Sequence, residues 1–291
     1  MRVTSTRMID LAAAATTKNQ AAVAHASDEL SSGMRVNAPS DDPAAWLAAQ
    51  RTKLRQALSQ GSGAAMASGR DRLVSTDNAL ASLGDVVSQV RSLAVQGASD
   101  TYNPANRAGL GDQVRGLFQN ALDAANARGN DGEFLLAGSA SLTQPFDATG
   151  VYHGDATVRS LPGDTTSTTP VTIAGTALTA ARGVDVLPLL DRVATALSTN
   201  DMATLTAALP DLDTAVKQIS SARTTGGSAM NVIDQATSAH AVMEQDMTAA
   251  ISKFVEVDTV TAAGELAKAT QALEVSRTVS QHIVSVLAPS T

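Results

Sequence analysis

The chain has no cysteine and very few rings: among 291 residues there are one Trp, two Tyr and four Phe. Without cysteine there are no disulfides and no thiolate metal sites. A compact enzyme core draws on large aromatic side chains, whereas narrow helix seams are filled by Ala, Leu, Val and Met. The composition therefore favours an elongated helical body. Proline is missing from residues 1–38 and 211–288, while three of the nine prolines, at 145, 162 and 170, fall in one central Thr- and Gly-containing segment. Because proline removes a backbone donor and clashes inside a helix, these gaps predict long helices at both ends around a differently built middle. No apolar run reaches 18 residues, and the opening MRVTSTRMIDLAAAATTKNQ lacks a full hydrophobic stretch and a small-residue cleavage site. Neither a membrane span nor a cleaved secretory signal is expected. A net charge of −7 argues against nucleic-acid binding, which uses a basic face.

What is present is helical rhythm. Ile9, Ala12, Thr16, Asn19, Val23, Ala26 and Leu30 recur every three or four residues, one stripe of a helix that Gly33 would stop. Asn37 to Asp42 then reads as a turn: Pro39 breaks the helix, Ser40, Asp41 or Asp42 would cap a new one, and Pro43 sits in its first turn. Residues 44–99 fit one long helix or two collinear ones, weakened by Gly61 and Gly63; Pro104 opens another that runs to about Asn126. After Asn130-Asp131-Gly132, short β-prone stretches at residues 157–161 and 171–174 suggest a small β-rich insertion over residues 139–185. Helices return near residues 188–199 and 202–225. Two further stripes, Ile233, Ala236, His240, Met243, Met247, Ala250, Phe254, Val257 and Ala262, Leu266, Ala269, Leu273, Ser276, Ser280, Ile283, Leu287, are out of phase, which predicts a joint at residues 258–261.

The expected fold is mainly α, an elongated antiparallel helical bundle formed by the N- and C-terminal segments, with a small β-rich insertion. Its parts are an N-terminal assembly helix and turn (1–42), a helical rod (43–138 and 186–254) interrupted by the insertion (139–185), and a C-terminal assembly helix (255–291). The expected seam comprises Ile9, Val23, Leu30, Met247, Phe254, Leu266, Leu273, Ile283 and Leu287. Residues 1–60 carry a net charge of +2 and residues 226–291 one of −4, which either favours pairing of the two ends or reflects ordinary solvated faces.

Chemistry is hard to find. His25, His153, His240 and His282 are scattered, no HExxH motif occurs, and Gly61-Ser62-Gly63 lacks the next glycine of a dinucleotide loop. The adjacent Asp41 and Asp42 suit capping better than acid–base work, and Met243 and Met247 at helical spacing suit a core. No catalytic residue, metal or cofactor is expected.

The run Ser31-Ser32-Gly33-Met34-Arg35-Val36-Asn37-Ala38-Pro39-Ser40-Asp41-Asp42-Pro43, with the opening Met1-Arg2-Val3-Thr4 and the paired helical ends, resembles the bacterial flagellin superfamily. Gly132-Glu133-Phe134-Leu135-Leu136-Ala137-Gly138, Thr143-Gln144-Pro145-Phe146 and Tyr152-His153-Gly154-Asp155 resemble its hook-filament junction branch; Gly132, Phe134, Gly138, Pro145 and Phe146 carry that distinction. The resemblance implies an extracellular flagellar subunit, exported through the type III apparatus without a cleaved signal. It also implies self-assembly through the terminal helices, with a preceding hook-associated protein and flagellin as neighbours and a cytoplasmic export chaperone as an earlier partner. A short filament flagellin is the near alternative, and a cytoplasmic helical adaptor or export chaperone the distant one.

Overall fold

In the computed structural model, residues 2–162 and 168–287 are described, with side chains described for 6–161 and 168–285. Six helices account for most of the chain: α1 (Arg2–Ser32), α2 (Pro43–Gly97), α3 (Pro104–Ala125), α4 (Val186–Ser198), α5 (Met202–Val255) and α6 (Thr259–Leu287). A two-stranded antiparallel sheet, β1 (Ser160–Pro162) and β2 (Thr168–Pro170), is paired with Leu161 opposite Thr169. The expected mainly α fold with a small β element is what the chain adopts.

Helix starts follow local chemistry. The Asn103 carboxamide accepts from the Asn106 N–H at 2.8 Å while Pro104 occupies the first turn of α3, where a missing donor costs nothing. Pro188 likewise lies in the first turn of α4. Gly61 and Gly63 do not divide α2: an added Cβ at either would meet no atom within 4 Å, so each contributes only the weak helix propensity of glycine, about 1 kcal/mol. The α5 pattern likewise does not stop at residue 225 but runs unbroken to Val255. The phase break after it is real: Asp258 caps α6, accepting from the Val260 N–H at 3.0 Å and from the Thr261 hydroxyl at 3.2 Å.

The middle segment contains less strand than its β-prone residues suggest. Val171 to Ala174 are buried but irregular, and β1 takes only three residues. Pro162 and Pro170 sit at the ladder's ends and cannot donate to it; past Pro170 the Val171 N–H still donates to the Arg159 carbonyl at 2.8 Å, but the Arg159 N–H turns to the Thr172 hydroxyl at 2.8 Å and the regular ladder is lost. Residues 163–167 of the expected insertion, and residues 288–291 of the expected C-terminal assembly segment, lie outside the described residues.

The chain forms two compact units, one of residues 60–241 and one of residues 1–59 with 242–291. The first holds a continuous core in which Leu73, Leu80, Leu83, Leu187, Leu190, Leu197, Leu205, Leu212 and Ile219 are fully buried. Here α3 and α4 approach closely at Gly111, where a Cβ would stand 2.4 Å from the Ser198 hydroxyl. Arg107, itself buried, closes the end of α2 by donating to the carbonyls of Gly97 at 2.8 Å and Ser99 at 3.0 Å, and to the Asn200 side chain at 2.7 Å. The second unit has a small apolar cluster, Val36, Ala49 and Val255, with Ala45, Trp46, Ile251 and Phe254 against it.

The irregular stretch after α3 is held by glycine geometry. Gly138 has φ 72°, and a Cβ there would fall 2.5 Å from the Asp155 carbonyl oxygen. Gly138→Ala is therefore expected to destabilise this unit by about 1–3 kcal/mol, read as a lower denaturation midpoint at unchanged helical content.

Candidate assembly surface

The terminal helices meet along one narrow line. On α1 the residues withdrawn from solvent are Ala12, Thr16, Asn19, Val23, Ala26 and Glu29; on α6 they are Ala262, Leu266, Ala269, Leu273, Ser276, Ser280 and Ile283. Of these, only Ala26 and Ala262 are fully buried. Their methyl groups let the two backbones approach, but they remove little apolar area from water. The centre of the line is polar: the Thr16 and Ser280 hydroxyls lie 3.2 Å apart, and the Asn19 amide donates to the Ala272 carbonyl at 3.1 Å. A hydrogen bond from a side chain of one helix to the backbone of the other fixes their axial register, as polar seam residues do in coiled coils. Among the described side chains no ion pair joins α1 to α6, so the opposite net charges of the two ends are not expressed as direct contacts.

The turn after α1 is tied to the joint between α5 and α6 by main-chain bonds. Arg35 N–H donates to the Val255 carbonyl at 2.8 Å, Val257 N–H donates to the Gly33 carbonyl at 3.0 Å, and Met34 bridges Glu256. Gly33 adopts φ 69°, the left-handed conformation that turns the chain out of α1. Asp41 accepts from the Ala38 N–H at 2.8 Å and the Asn37 N–H at 3.0 Å, and these bonds hold its carboxyl below the usual range. Asp42 caps α2 by accepting from the Ala45 N–H at 3.0 Å and also faces Arg35 at 3.3 Å; its carboxyl is lowered as well, the backbone bond contributing most. The Arg35 guanidinium in addition donates to the Phe254 carbonyl at 3.0 Å. Ser40 only supports Asp41, through a 3.3 Å hydrogen bond, while Pro39 bends the turn and Pro43 begins α2.

The nine expected seam residues do not all share one surface. Val23, Leu266, Leu273 and Ile283 lie half-buried on the line between α1 and α6, whereas Ile9 and Leu30 at its margins are 42% and 37% exposed. Met247 and Phe254 are half-buried on α5, Phe254 against Val36 and Val255. Leu287 ends α6, and its side chain lies outside the described residues. Apolar side chains outside that seam stand in solvent: Met8 and Leu11 on α1, Val275, Val279 and Val284 on α6. Ala12, Ala15, Ala272, Val275 and Val279 line an open furrow along the pair. This second face was readable in principle, since Met8, Leu11 and Ala15 also follow three/four spacing beside the chosen stripe.

Residues 132–155 form a pinned loop cluster, not an open site. Gly132 takes φ 77° in the turn that brings Phe134 under Arg128, whose guanidinium carbon lies 4.0 Å from the ring centroid. Buried Arg72 donates to the Phe134 carbonyl at 2.7 Å and faces Asp131 and Glu133, while Arg159 meets Glu133 at 2.7 Å. Next to Pro145, Phe146 is buried; its N–H and carbonyl both bond the Asn126 carboxamide at 3.0 Å, and its ring packs 5.1 Å from Tyr152. Burial raises the Tyr152 hydroxyl to about 12, and that hydroxyl stands between the carbonyls of Leu136 and Asp155. Asp155, bonded by the Ser139 hydroxyl and backbone N–H, falls to about 2. Apart from the buried Arg72 Nε, which has no hydrogen-bond partner among the described residues, the side-chain polar groups named here are engaged within the fold. Among the described residues no cluster of His, Asp and Glu could hold a metal ion, and no helix is long and apolar enough to cross a membrane.

Comparison with known proteins agrees with this geometry. Residues 4–141 match the family model of the bacterial flagellin N-terminal helical region. Flagellar hook-associated protein 3 of Salmonella typhimurium is 29% identical over 157 residues, 53% of this chain and 49% of that protein, so the chain spans about half the length of the curated relative it matches. Among solved structures, a Vibrio parahaemolyticus protein assigned as flagellar hook-associated superposes with a TM-score of 0.68 at 20% identity, over 74% of this chain and all 100% of the other. The flagellar junction protein of Legionella pneumophila superposes with a TM-score of 0.55 at 17% identity, over 72% of this chain and 100% of that one. The fold is shared with these solved structures, and the residues matched by the family model take in the run from Ser31 to Pro43 on which the flagellin resemblance rests.

Two outcomes follow from the seam and the turn. Replacing Asn19 by Leu should strengthen contact between α1 and α6 but free their register, measured as a higher melting temperature with a broadened distribution of spin-label distances between the helices. Asp41, Asp42 and Asp258 all have folded values below the ordinary carboxylate value. Their stabilisation is therefore complete above about pH 4 and is lost as pH falls through the lowered folded values. The melting temperature of the terminal unit should drop on acidification, and Asp41→Asn with Asp42→Asn should flatten that dependence.

Proposed function

We propose, on the premise that residues 4–141 carry a bacterial flagellin N-terminal helical region, that this chain is a structural subunit of the bacterial flagellum that joins the hook-associated zone to the filament. The observation that carries this reading is the incompleteness of the terminal pair. A helix of 31 residues requires the backbone of each to be ordered, at roughly 1–2 kcal/mol per residue, and α1 buries chiefly methyl groups in return. Intrahelical hydrogen bonds offset part of that cost, but in proteins helices owe most of their stability to packing of an apolar face. Met8, Leu11, Val275 and Val279 supply such a face with nothing yet against it. Neighbouring subunits that cover it stabilise the pair by mass action, so ordering and polymerisation are coupled.

The remaining partners follow from the same incompleteness. A preceding hook-associated protein on one side and flagellin on the other would complete the furrow between α1 and α6, and a cytoplasmic export chaperone would shield the C-terminal helix before secretion. The subunit would then work outside the cell, reached by type III export. The pinned cluster around Gly132 to Phe146, which resembles the junction branch and not filament flagellin, favours the junction over the filament; the role is structural and needs no catalysis.

Cells lacking the gene should carry hooks without filaments and shed flagellin into the medium, as seen by electron microscopy and immunoblotting. Immunogold should mark the filament base; labelling along the whole filament would replace the junction reading with a filament flagellin. A variant lacking residues 1–35 and 255–291 should fail to restore motility, and restoration would overturn assembly through the terminal helices.

A further inference from the structure

A second apolar feature lies away from the terminal pair. Leu47, Leu54 and Leu58 on α2 are 49%, 64% and 68% exposed. With 3.6 residues per turn they fall within an arc of about 40° on one side of the helix, and Arg51 and Arg55 flank them along one edge. This ridge is basic and apolar together, and among the described residues no ion pair engages either arginine.

The unit of residues 60–241 presents a groove with the opposite character. Gln89, Ser92 and Leu93 of α2 and Gln113, Gly116 and Leu117 of α3 line it. Its floor is small and partly apolar, and a Cβ added at Gly116 would meet nothing within 4 Å, so there is room above it. Asp112 and Asp123 lie one turn before and two turns after Gly116 on the same stripe of α3, and Asp85 lies one turn before Gln89 on α2. Asp123 has no ion-pair partner among the described residues, and Asp112 meets only its exposed neighbour Arg115. Asp85 adds to the negative field near Arg223, whose own partner is Asp77.

We propose that the Leu47–Leu54–Leu58 ridge of one copy docks into the α2–α3 groove of a second copy, with Arg51 and Arg55 meeting the acidic lip of Asp85, Asp112 and Asp123. The lengths agree: ridge and lip each extend over eleven residues, about 16 Å at a rise of ~1.5 Å per residue. Ridge residues at i, i+7 and i+11 entering a groove between helices follow ordinary helix packing, and the opposite charges set orientation and suppress pairing of ridge with ridge. Because ridge and groove are different surfaces, the contact is heterologous and repeats from copy to copy instead of closing into a dimer, as an assembling subunit requires. The contact rests on the assembly reading above and deepens it, adding a lateral surface distinct from the terminal helices.

The absence of cysteine makes the test direct. Two full-length proteins, Leu54→Cys and Gly116→Cys, are mixed and oxidised, both in concentrated solution and in flagella isolated from cells expressing the two. A cross-linked pair should form in the mixture but not from either protein alone. Arg51→Glu with Arg55→Glu on the Leu54→Cys chain should lower the yield about tenfold, and Asp112→Lys with Asp123→Lys on the Gly116→Cys chain should restore it. Circular dichroism of each variant checks that it is folded. No cross-link where both proteins are present overturns the contact, as does an equal yield with a control cysteine at Arg182, or capture of a different protein by Leu54→Cys. If flagella contain both proteins and show no cross-link, the contact fails while the flagellar reading stands. If the protein is absent from flagella yet the pair forms in solution, the flagellar reading fails and the contact stands.

Discussion

The structure depends on how closely two helices can approach when their facing side chains are small. Ala12, Ala26, Ala262 and Ala269 allow α1 and α6 to run together, and the same smallness limits what their union can contribute. A seam of leucines would have made a self-sufficient coiled coil. A seam of methyl groups, with Thr16, Asn19, Ser276 and Ser280 in its centre, specifies a register without supplying much burial. The second face of Met8, Leu11, Val275 and Val279 stays exposed, and it is the face that the proposed assembly would cover.

Register at one end of this pair is set by the turn. The linker after α1 and the joint before α6 share main-chain bonds from Arg35 to Val255 and from Val257 to Gly33. These bonds require Gly33 to leave α1 at a positive φ and Asp41 to hold the following N–H groups. The run from Ser31 to Pro43 is therefore explained without reference to a ligand. Its polar atoms satisfy one another and position both helices for association. The adjacent carboxylates, which by themselves might suggest acid–base chemistry, each accept backbone hydrogen bonds.

Much of this was legible in the sequence because helical periodicity and capping are local. From Ala12 to Ala26 on α1 and from Ala262 to Ile283 on α6 the stripes coincide with the withdrawn line, Ile9 and Leu30 falling at its exposed margins, and the phase break between Val257 and Ala262 coincides with the joint capped by Asp258. Less was legible where the outcome depends on distant partners. Met247 and Phe254 share the three/four spacing of a seam, yet the Val36 cluster packs against Phe254 on α5 because the turn folds back there, which no spacing reveals. Buried Arg107 and Arg72 could not be singled out, since their carbonyl and carboxylate partners lie in loops. The β-prone Val171 to Ala174 became buried irregular chain because the Arg159 N–H bonds the Thr172 hydroxyl in place of a backbone carbonyl, a side-chain substitution that β-propensity does not reveal. Leu47, Leu54 and Leu58 are apolar positions on a long helix, and spacing alone does not tell a surface ridge from a buried one; only their exposure does.

The two units thus place stability and association in different residues. Leucines, valines and Phe146 close a core in residues 60–241 that leaves few of its large side chains in water, and Arg72, Arg107 and Asn126 satisfy the carbonyls that its loops expose. Residues 1–59 and 242–291 keep many of their large apolar side chains at the surface and bury mainly alanine. Under the proposed assembly, a subunit that stays folded on its own while its ends wait for neighbours needs this partition. Had the terminal helices been stabilised like the core, they would have satisfied themselves and offered nothing to the next chain. Had the core been built like the termini, the groove between α2 and α3 would have had no fixed walls.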